Sequence, residues 1–254
     1  MKKIEIKDDA KQEIKKILGN YKGKHVSRKE DYATFTSTYH KDDAYRVAFL
    51  YNTRICPYCN INYTYTVGNG LVCRPDFDHF LNKDDYPDVA MEWDNLIPSC
   101  SQCNSRIKIT KVFKRESHIH PHYDDFDSLA SFVIDVIKIG HITNEHNFEI
   151  KCISSNTRAS NSIRDLKINE RYKYHKDVVC QIIKNGYINN RYRLSEIGTM
   201  LKMKSLSNKD DSLEKTLVIQ RLLFPDIDCD ISKTSLGKLK RDVSKKIRKW
   251  SSEK

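Results

Sequence analysis

The order of hydrophobic and polar positions predicts two helices near the start of the chain. Residues 8–18 begin with acidic side chains and continue with isoleucines and a leucine among lysines, which predicts a short helix. Residues 41–51 are rich in Ala, Val, Phe and Leu and predict a second helix. Residues 20–40 are polar, and we predict irregular structure there.

The pattern becomes β-like in the next part of the chain. Residues 61–67 alternate β-prone side chains, a Gly-Asn-Gly turn follows, and residues 71–73 begin a return strand. Asp78 and His79 are expected on or just after this return strand. Residues 104–108 are expected to open a helix. The sequence therefore predicts a β-hairpin followed by a helix.

The rest of the chain reads as two strands followed by helices. The strands are predicted at 132–136 and 148–152, where apolar and polar residues alternate. The last helix carries one apolar stripe at three- and four-residue steps. The predicted helices are 161–187, 190–205, 208–224 and 233–250.

These elements predict an α+β fold in which a central ββα core has mainly helical flanks on both sides. We expect a helical segment over residues 1–50 and a core over residues 51–115. Residues 116–254 are expected to be mixed at first and then mostly helical, and to serve in binding a partner or nucleic acid.

Composition and charge narrow the class of protein. The 254 residues include 45 Lys+Arg against 34 Asp+Glu, a formal net charge of +11. This excess favours a polyanionic partner, although a merely basic soluble protein has the same composition. The chain has no run of 18 apolar residues, so no membrane span is expected, and the start of the sequence lacks the apolar stretch of a signal peptide. We therefore expect a cytoplasmic location and no membrane partner.

Four of the eight cysteines form two Cys-x-x-Cys pairs. Each pair lets two sulfur atoms of one tight turn reach the same ion, and two pairs complete a tetrahedral zinc shell. Such a closed shell stabilises a fold and leaves no position for catalysis. Four packed thiols or a redox pair are the alternative. The predicted structural zinc ligands are Cys56, Cys59, Cys100 and Cys103.

Residues between the two cysteine pairs have the chemistry of a hydrolytic site. A neutral histidine such as His79 can take a proton from water near pH 7. The carboxylate of Asp78 and the amide oxygen of Asn104 are hard ligands that suit Mg²⁺ or Mn²⁺. A lone His beside an Asp is usually structural, but the position of this pair between the two cysteine pairs favours a functional role.

In these residues the segment resembles the HNH endonuclease family, whose fold is the ββα-metal finger. The family signature corresponds here to His79, Asn95 and Asn104, with Asp78 as the acidic neighbour of the first His. The resemblance implies that His79 is the general base and that Asp78 and Asn104 bind one catalytic Mg²⁺ or Mn²⁺. It also implies that Asn95 orients the loop carrying His79. Asn82 stands where many members have a proline.

A narrower resemblance concerns several short phrases of the sequence. They are similar to HNH proteins encoded beside ATPases in bacterial anti-phage systems such as Septu and some retron operons. This resemblance implies an ATPase partner and a role in antiviral defence. The phrases are Asp78-His79-Phe80, Asn95 to Cys100, Cys103-Asn104-Ser105 and Asn169 to Tyr172.

Basic residues after the second cysteine pair are candidates for phosphate contacts. We expect Arg106, Lys108 and Lys111 to bind a nucleic-acid backbone, although a solvated charged segment has the same composition. By family resemblance, DNA is favoured over RNA as the substrate.

Two alternatives remain open at this point. The whole chain could be a non-catalytic zinc module that binds nucleic acid or protein. Separately, the alternating His118, His120 and His122 could form a second metal site or a polar surface strand or loop packed near the active site.

Overall fold

The computed structural model describes residues 2–25, 28–37, 39, 41–68, 72–109, 111–137, 144–188, 196 and 225–252. Helices combined with two small antiparallel sheets make this an α+β fold. The chain divides into two units. The first comprises Met1–Ala130, Ser154–Ile168 and Ile231–Ser235, and the second comprises Ser131–Ile153, Asn169–Asp230 and Leu236–Lys254.

The first unit contains helices at its start and a two-stranded sheet in its middle. Its helices are α1 (Asp8–Gly19), α2 (Arg28–Thr36), α3 (Lys41–Tyr51), α4 (Phe126–Leu129) and α5 (Thr157–Asp165). Its strands are β1 (Asp76–His79) and β2 (Leu96–Ser99), separated by a 3₁₀ turn at Pro87–Val89 and followed by a π-helix at Gln102–Ile107.

The predicted helices α1 and α3 are confirmed. Acidic Asp8 and Asp9 lie in the first turn of α1, where the partial positive charge of the helix end stabilises them. Ile14, Ile17 and Leu18 recur at three- and four-residue spacing and form the buried face of α1.

Helix α2 contradicts the prediction of irregular structure over residues 20–40. Buried Asp31 accepts hydrogen bonds from the backbone N–H groups of Gly23 (2.8 Å) and His25 (3.0 Å), which tie the preceding loop to the helix. Phe35 is fully buried, with its ring centroid 5.4 Å from that of Tyr21. Tertiary contacts therefore stabilise a helix whose own sequence is mostly polar.

The core of the first unit packs the three N-terminal helices against β1. The ring of Phe77 on β1 lies 5.8 Å from that of Phe35 and 6.0 Å from that of Tyr51. These contacts fix the strand that carries Asp78 and His79. The buried members of the cluster are Ile14, Ile17, Leu18, Tyr21, Phe35, Ala44, Val47, Ala48, Tyr51, Phe77, Met91 and Leu96.

The β-hairpin of the first unit is not where the sequence predicted it. Within residues 61–73, the described part shows isolated bridges from Tyr63 to Ile55 and from Val67 to Cys73, and no continuous strand. The paired strands are β1 and β2, in an antiparallel register that places Asp76 opposite Ser99 and His79 opposite Leu96. Asp78 and His79 thus lie on the first strand of the hairpin, and a helix follows the second strand.

The second unit contains an antiparallel sheet and helices. The two strands, β3 (Ser131–Val136) and β4 (Phe148–Ile153), confirm the predicted pair. The predicted helix 161–187 is interrupted, since Lys167 has a left-handed φ of 54°. The helices after that break are α6 (Ile168–Tyr172), α7 (Lys176–Ile188) and α8 (Gly237–Ser252).

The terminal helix α8 confirms the predicted apolar stripe for the side chains that are described. Leu239, Val243 and Ile247 are buried, and Asp242 accepts a hydrogen bond from the backbone N–H of Phe132 on β3 (2.9 Å). The predicted helices at 190–205 and 208–224 lie outside the described residues, apart from Glu196. Among the helices described, none combines the length and the apolarity needed to cross a membrane.

Candidate metal centre and active site

The four cysteines of the two Cys-x-x-Cys pairs converge in the first unit. Their sulfur atoms all lie within 4.8 Å of one another and are buried. The Sγ atoms of Cys59 and Cys100 are 3.9 Å apart, too far for a disulfide. Zinc–sulfur bonds of about 2.3 Å in a tetrahedron separate the sulfurs by about 3.8 Å. The cluster therefore fits a structural zinc ion.

The first cysteine turn is held by its own backbone and by the residues that follow it. The N–H of Asn60 donates to the carbonyl of Cys56 (2.9 Å), which closes the turn, and Asn60 adopts a left-handed φ of 56°. The side chain of Asn60 donates to the carbonyl of Ile231 (2.6 Å). An asparagine tolerates this conformation better than most residues, so the sequence Cys-Pro-Tyr-Cys-Asn suits the turn.

Electrostatics explains why the cysteine cluster suits a cation. Burial raises the pKa of the Cys56 thiol well above its usual value, because a buried thiolate without a counter-charge is costly. N–H groups point at three of the sulfurs. The backbone N–H of Cys100 donates to Cys56, that of Ile61 to Cys59, and the Asn62 side chain to Cys100, at 3.3–3.4 Å. These donors stabilise thiolates bound to a metal.

The second cysteine turn leads directly into the π-helix. The N–H of Asn104 donates to the carbonyl of Cys100, and the N–H of Lys108 donates to that of Cys103, both at 3.0 Å. The second bond spans five residues, as in a π-helix, a form that occurs frequently at functional sites. The cysteine cluster therefore fixes the segment that carries both Asn104 and Lys108.

A hydrogen bond at one ring nitrogen fixes the tautomer of His79. Its Nε2 lies 3.1 Å from the carbonyl oxygen of Ala90, which can only accept, so Nε2 carries the proton and the lone pair is on Nδ1. Burial, with a further contribution from Lys83, lowers the pKa of His79 to about 3. The ring is therefore neutral at pH 7. Tyr32 of α2 packs edge-on against it, with the two centroids 4.4 Å apart.

Asp78 lies inside a buried polar network. Its Oδ2 accepts a hydrogen bond from the Tyr58 hydroxyl (2.6 Å) and lies 3.0 Å from the Lys108 ammonium. The same ammonium donates to the carbonyls of His79 (2.5 Å) and Phe80 (3.2 Å). Burial raises the pKa of Asp78, while Lys108 and Tyr58 act in the opposite direction. Lys108 thus connects Asp78 to the strand end that carries His79.

Asp76 is a candidate site residue that the sequence pattern did not single out. The side-chain N–H of Asn104 donates to Oδ2 of Asp76 (3.3 Å), so Asp76 is the carboxylate beside the predicted amide ligand. Asp76 and Asp78 share one face of β1, and the charge of Asp76 raises the pKa of Asp78. The spacing Asp-x-Asp on a strand is the signal that identifies Asp76.

Asn95 pairs with the loop that follows His79. Its side-chain oxygen accepts from the N–H of Leu81 (2.7 Å), and its side-chain nitrogen donates to the carbonyl of the same residue (3.1 Å). The Asn95 backbone carbonyl accepts from Phe80 (2.9 Å). Asn95 is buried, so this bonding is shielded from water. These contacts restrain the two residues directly after His79.

The predicted site residues contact different partners. Asn104 contacts Asp76, which was not predicted, Asp78 contacts Lys108, and Asn95 contacts the loop after His79. Within the described residues, no hydrogen bond joins the His79 ring to Asp78 or Asn104.

The basic residues predicted to contact phosphate differ in their exposure. Arg106 and Lys111 are exposed. Lys108 is 6% exposed and bonded to Asp78, so the structure does not present it as a surface cation. Its burial follows from its place in the network that also holds the backbone of His79 and Phe80.

The three alternating histidines are buried, so the segment is not on the surface as the sequence suggested, but it packs near the candidate site through Phe80, the neighbour of His79. His118 contacts Asp165 (3.0 Å), His120 packs on Phe80 with centroids 4.1 Å apart, and His122 packs on Trp93. Among the described residues, the four cysteines are the cluster with metal-ligand geometry, and the histidines do not form a second one.

We predict that Cys100→Ser abolishes metal binding and lowers thermal stability by well over 10 °C, because the other three thiols lose their shared cation. Cys73→Ser is the matched control, since Cys73 is exposed and outside the cluster. Zinc content by atomic absorption and a melting curve on each purified variant test this. Equal zinc content in Cys100→Ser and wild type would contradict the assignment.

His122 is expected to make the fold sensitive to acid. Burial lowers its pKa to about 4, so the unfolded chain takes up the proton first. The stability that it contributes is complete above its unfolded pKa and is lost as the pH falls through about 6.5 toward 4. Between pH 7 and pH 5, His122→Phe should reduce this loss by about 1–2 kcal/mol.

Urea unfolding at the two pH values measures the effect of His122. Exposed His146→Ala serves as the control and should leave the pH dependence unchanged. An identical loss of stability in His122→Phe and wild type would contradict a neutral buried His122.

Comparison with known proteins relates one segment of the chain to a named relative. Over 49 residues it is 45% identical to the Septu protein PtuB of Bacillus thuringiensis. The matched segment is 19% of this chain and 19% of that relative, so the chain spans about a fifth of the length of the protein it matches. No family model and no solved structure matches the chain.

Proposed function

We propose that this chain is a metal-dependent HNH-type endonuclease that hydrolyses phosphodiester bonds, in DNA by preference. The observation that carries the proposal is the protonation state and tautomer of His79. The ring stands at the end of β1, is neutral, and has its Nε2 proton directed at the Ala90 carbonyl, which leaves the Nδ1 lone pair for a substrate water. The β-hairpin leads into the π-helix that carries Asn104.

In the proposed reaction, His79 Nδ1 accepts a proton from the attacking water. The Ala90 carbonyl prevents the ring from flipping and stabilises the positive charge that the ring acquires. Asn95 keeps the loop after His79 in place through its paired bonds to Leu81. A water molecule lies between a general base and the metal ligands in such a reaction, so the His79 ring does not have to touch Asn104.

The catalytic ion is proposed to bind between β1 and the π-helix. Asn104 and Asp78 are the ligands expected from the resemblance, and we add Asp76 to them because its carboxylate accepts a hydrogen bond from the Asn104 amide. The negative charge of Asp76 raises the pKa of Asp78, so a cation bound at both carboxylates would stabilise their charged forms. When bound, Mg²⁺ or Mn²⁺ would stabilise charge on the scissile phosphate and on the departing oxygen.

A structural zinc ion is proposed for the four-cysteine cluster. Four sulfur ligands close its coordination shell, so the ion has no open position for substrate. The role that follows is to hold the two cysteine turns together and thereby to place Asn104.

A role in antiviral defence, with an ATPase partner subunit, is proposed for the whole protein. The support is the 45% identity over 49 residues to the Septu protein PtuB, together with the resemblance of several phrases to HNH proteins encoded beside ATPases. An isolated protein that is inactive until the partner is added would be consistent with this role.

The alternative function is a non-catalytic zinc module, and one observation favours it. Asp78 is buried and already bonded to Lys108 and Tyr58, which is the environment of a structural carboxylate. The cleavage assays below separate the two functions, because the alternative predicts that replacing His79 has no effect on any nucleic-acid reaction.

We expect His79→Ala to reduce DNA cleavage in Mg²⁺ or Mn²⁺ by at least about 100-fold, the usual contribution of a general base. Exposed His146→Ala should cleave like wild type, and zinc content should be equal in all three proteins. Gel assays with the partner ATPase present and absent measure this. Equal cleavage by wild type and His79→Ala would contradict the mechanism.

Asp76→Asn and Asn104→Ala are each expected to raise the Mg²⁺ concentration needed for half-maximal cleavage by about 10-fold or more, because each removes one oxygen ligand. Exposed Asp88→Asn is the control for the loss of one negative charge. A lowered maximal rate with an unchanged Mg²⁺ requirement would argue against metal ligation by these residues.

A further inference from the structure

Two tyrosines of the first unit expose their rings side by side. Tyr63 is 60% exposed and Tyr65 is 53% exposed, and their ring centroids are 5.7 Å apart. The N–H of Thr64 donates to the carbonyl of Arg54 (2.9 Å), so this short segment is extended. Its side chains alternate, with Thr64 buried and the two tyrosines facing outward. The fold thus places two aromatic rings in solvent on a restrained backbone.

The tyrosine pair lines a groove that reaches the proposed catalytic site. The same groove is lined by Arg74, Asp76 and Ser99. Asp76 is the carboxylate beside Asn104, so one end of the groove lies at the proposed metal ligands. The cysteine cluster supports the wall, because the Asn62 side chain donates to Cys100 Sγ (3.3 Å).

Basic side chains lie in both of the grooves that the two exposed tyrosines line. The Arg74 guanidinium lies over the Phe77 ring at 5.2 Å, which restrains it in the groove that contains Asp76. A second groove, on which the same two tyrosines lie, is lined by Phe49, Arg54 and Lys233. Aromatic faces next to basic side chains are the combination that proteins use to bind nucleic acid without sequence preference.

We propose that this groove binds single-stranded nucleic acid, with bases stacked on Tyr63 and Tyr65 and phosphates beside Arg74 of this groove and Arg54 of the second groove. In a duplex the base faces are covered by neighbouring bases, and only an unpaired strand offers them to the two rings. The bound strand would enter the proposed catalytic site at Asp76. The strand's cleavage rests on the proposed function, whereas its binding does not.

Fluorescence anisotropy with a labelled oligothymidylate, and with the same strand annealed to its complement, tests the proposal. The full-length, zinc-loaded His79→Ala protein is used so that no cleavage occurs. Tyr63→Ala and Tyr65→Ala should each weaken single-strand binding roughly ten-fold. Tyr63→Phe and Tyr65→Phe keep the ring and should bind within about two-fold of the parent. Tyr174→Ala, at a tyrosine of the second unit that is 87% exposed, is the matched control.

The possible outcomes separate this proposal from the nuclease proposal. Ring-dependent binding of the single strand supports the groove even if wild type cleaves nothing, and that combination would reject only the nuclease. Binding that is unchanged by both alanine variants, or that is tighter for the duplex, would overturn the groove proposal. The groove proposal would also be overturned if the alanine variants lost binding to a partner protein and still bound the oligonucleotide as the parent does.

Discussion

The candidate site depends on the contact between the two cysteine turns, which are far apart in the sequence. Their four sulfur atoms lie within 4.8 Å of one another. Strand β2 ends at Ser99, directly before the second turn, and Asn104 follows that turn directly. The Asn62 side chain joins the first turn to Cys100. Buried thiolates repel one another, so a shared cation is the physical condition for the arrangement. A zinc ion at this position would thus influence the chemistry only through geometry.

Around this cluster, burial and charge set the protonation states and the positions of the polar groups. Burial keeps His79 neutral, and the Ala90 carbonyl selects the tautomer with its lone pair on Nδ1. Lys108 offsets part of the negative charge of Asp78, and its contacts with the His79 and Phe80 carbonyls tie that charge to the end of β1. The same lysine would compete with a catalytic ion for Asp78, whereas Asp76 lies beside Asn104.

A part of the fold or of the candidate site could be predicted from the sequence when the interactions that fix it join residues close together in the chain. The cysteine pairs were readable because metal-ligand spacing is a local pattern. Helix α1 was readable because its apolar residues recur at helical spacing, and α3 because its apolar residues are dense. Helix α2 was not, since its apolar residues form no such stripe and it is held by tertiary contacts of Asp31 and Phe35. The hairpin was misplaced because residues 61–67 alternate in the way a strand does, and in the fold this alternation exposes Tyr63 and Tyr65 instead. The contact of Asp76 with Asn104 joins residues 28 positions apart, so the Asp-x-Asp spacing could point to Asp76 but could not predict this contact.

The central claim is that two separate metals act here, one holding the fold and one serving the reaction. Anomalous diffraction from crystals soaked in Mn²⁺, recorded at the zinc and manganese edges, tests it most directly. The account predicts a zinc peak among the four cysteine sulfurs and a manganese peak between β1 and the π-helix, within reach of Asp76 and Asn104. A manganese peak elsewhere, or the absence of zinc from the cysteines, would contradict it.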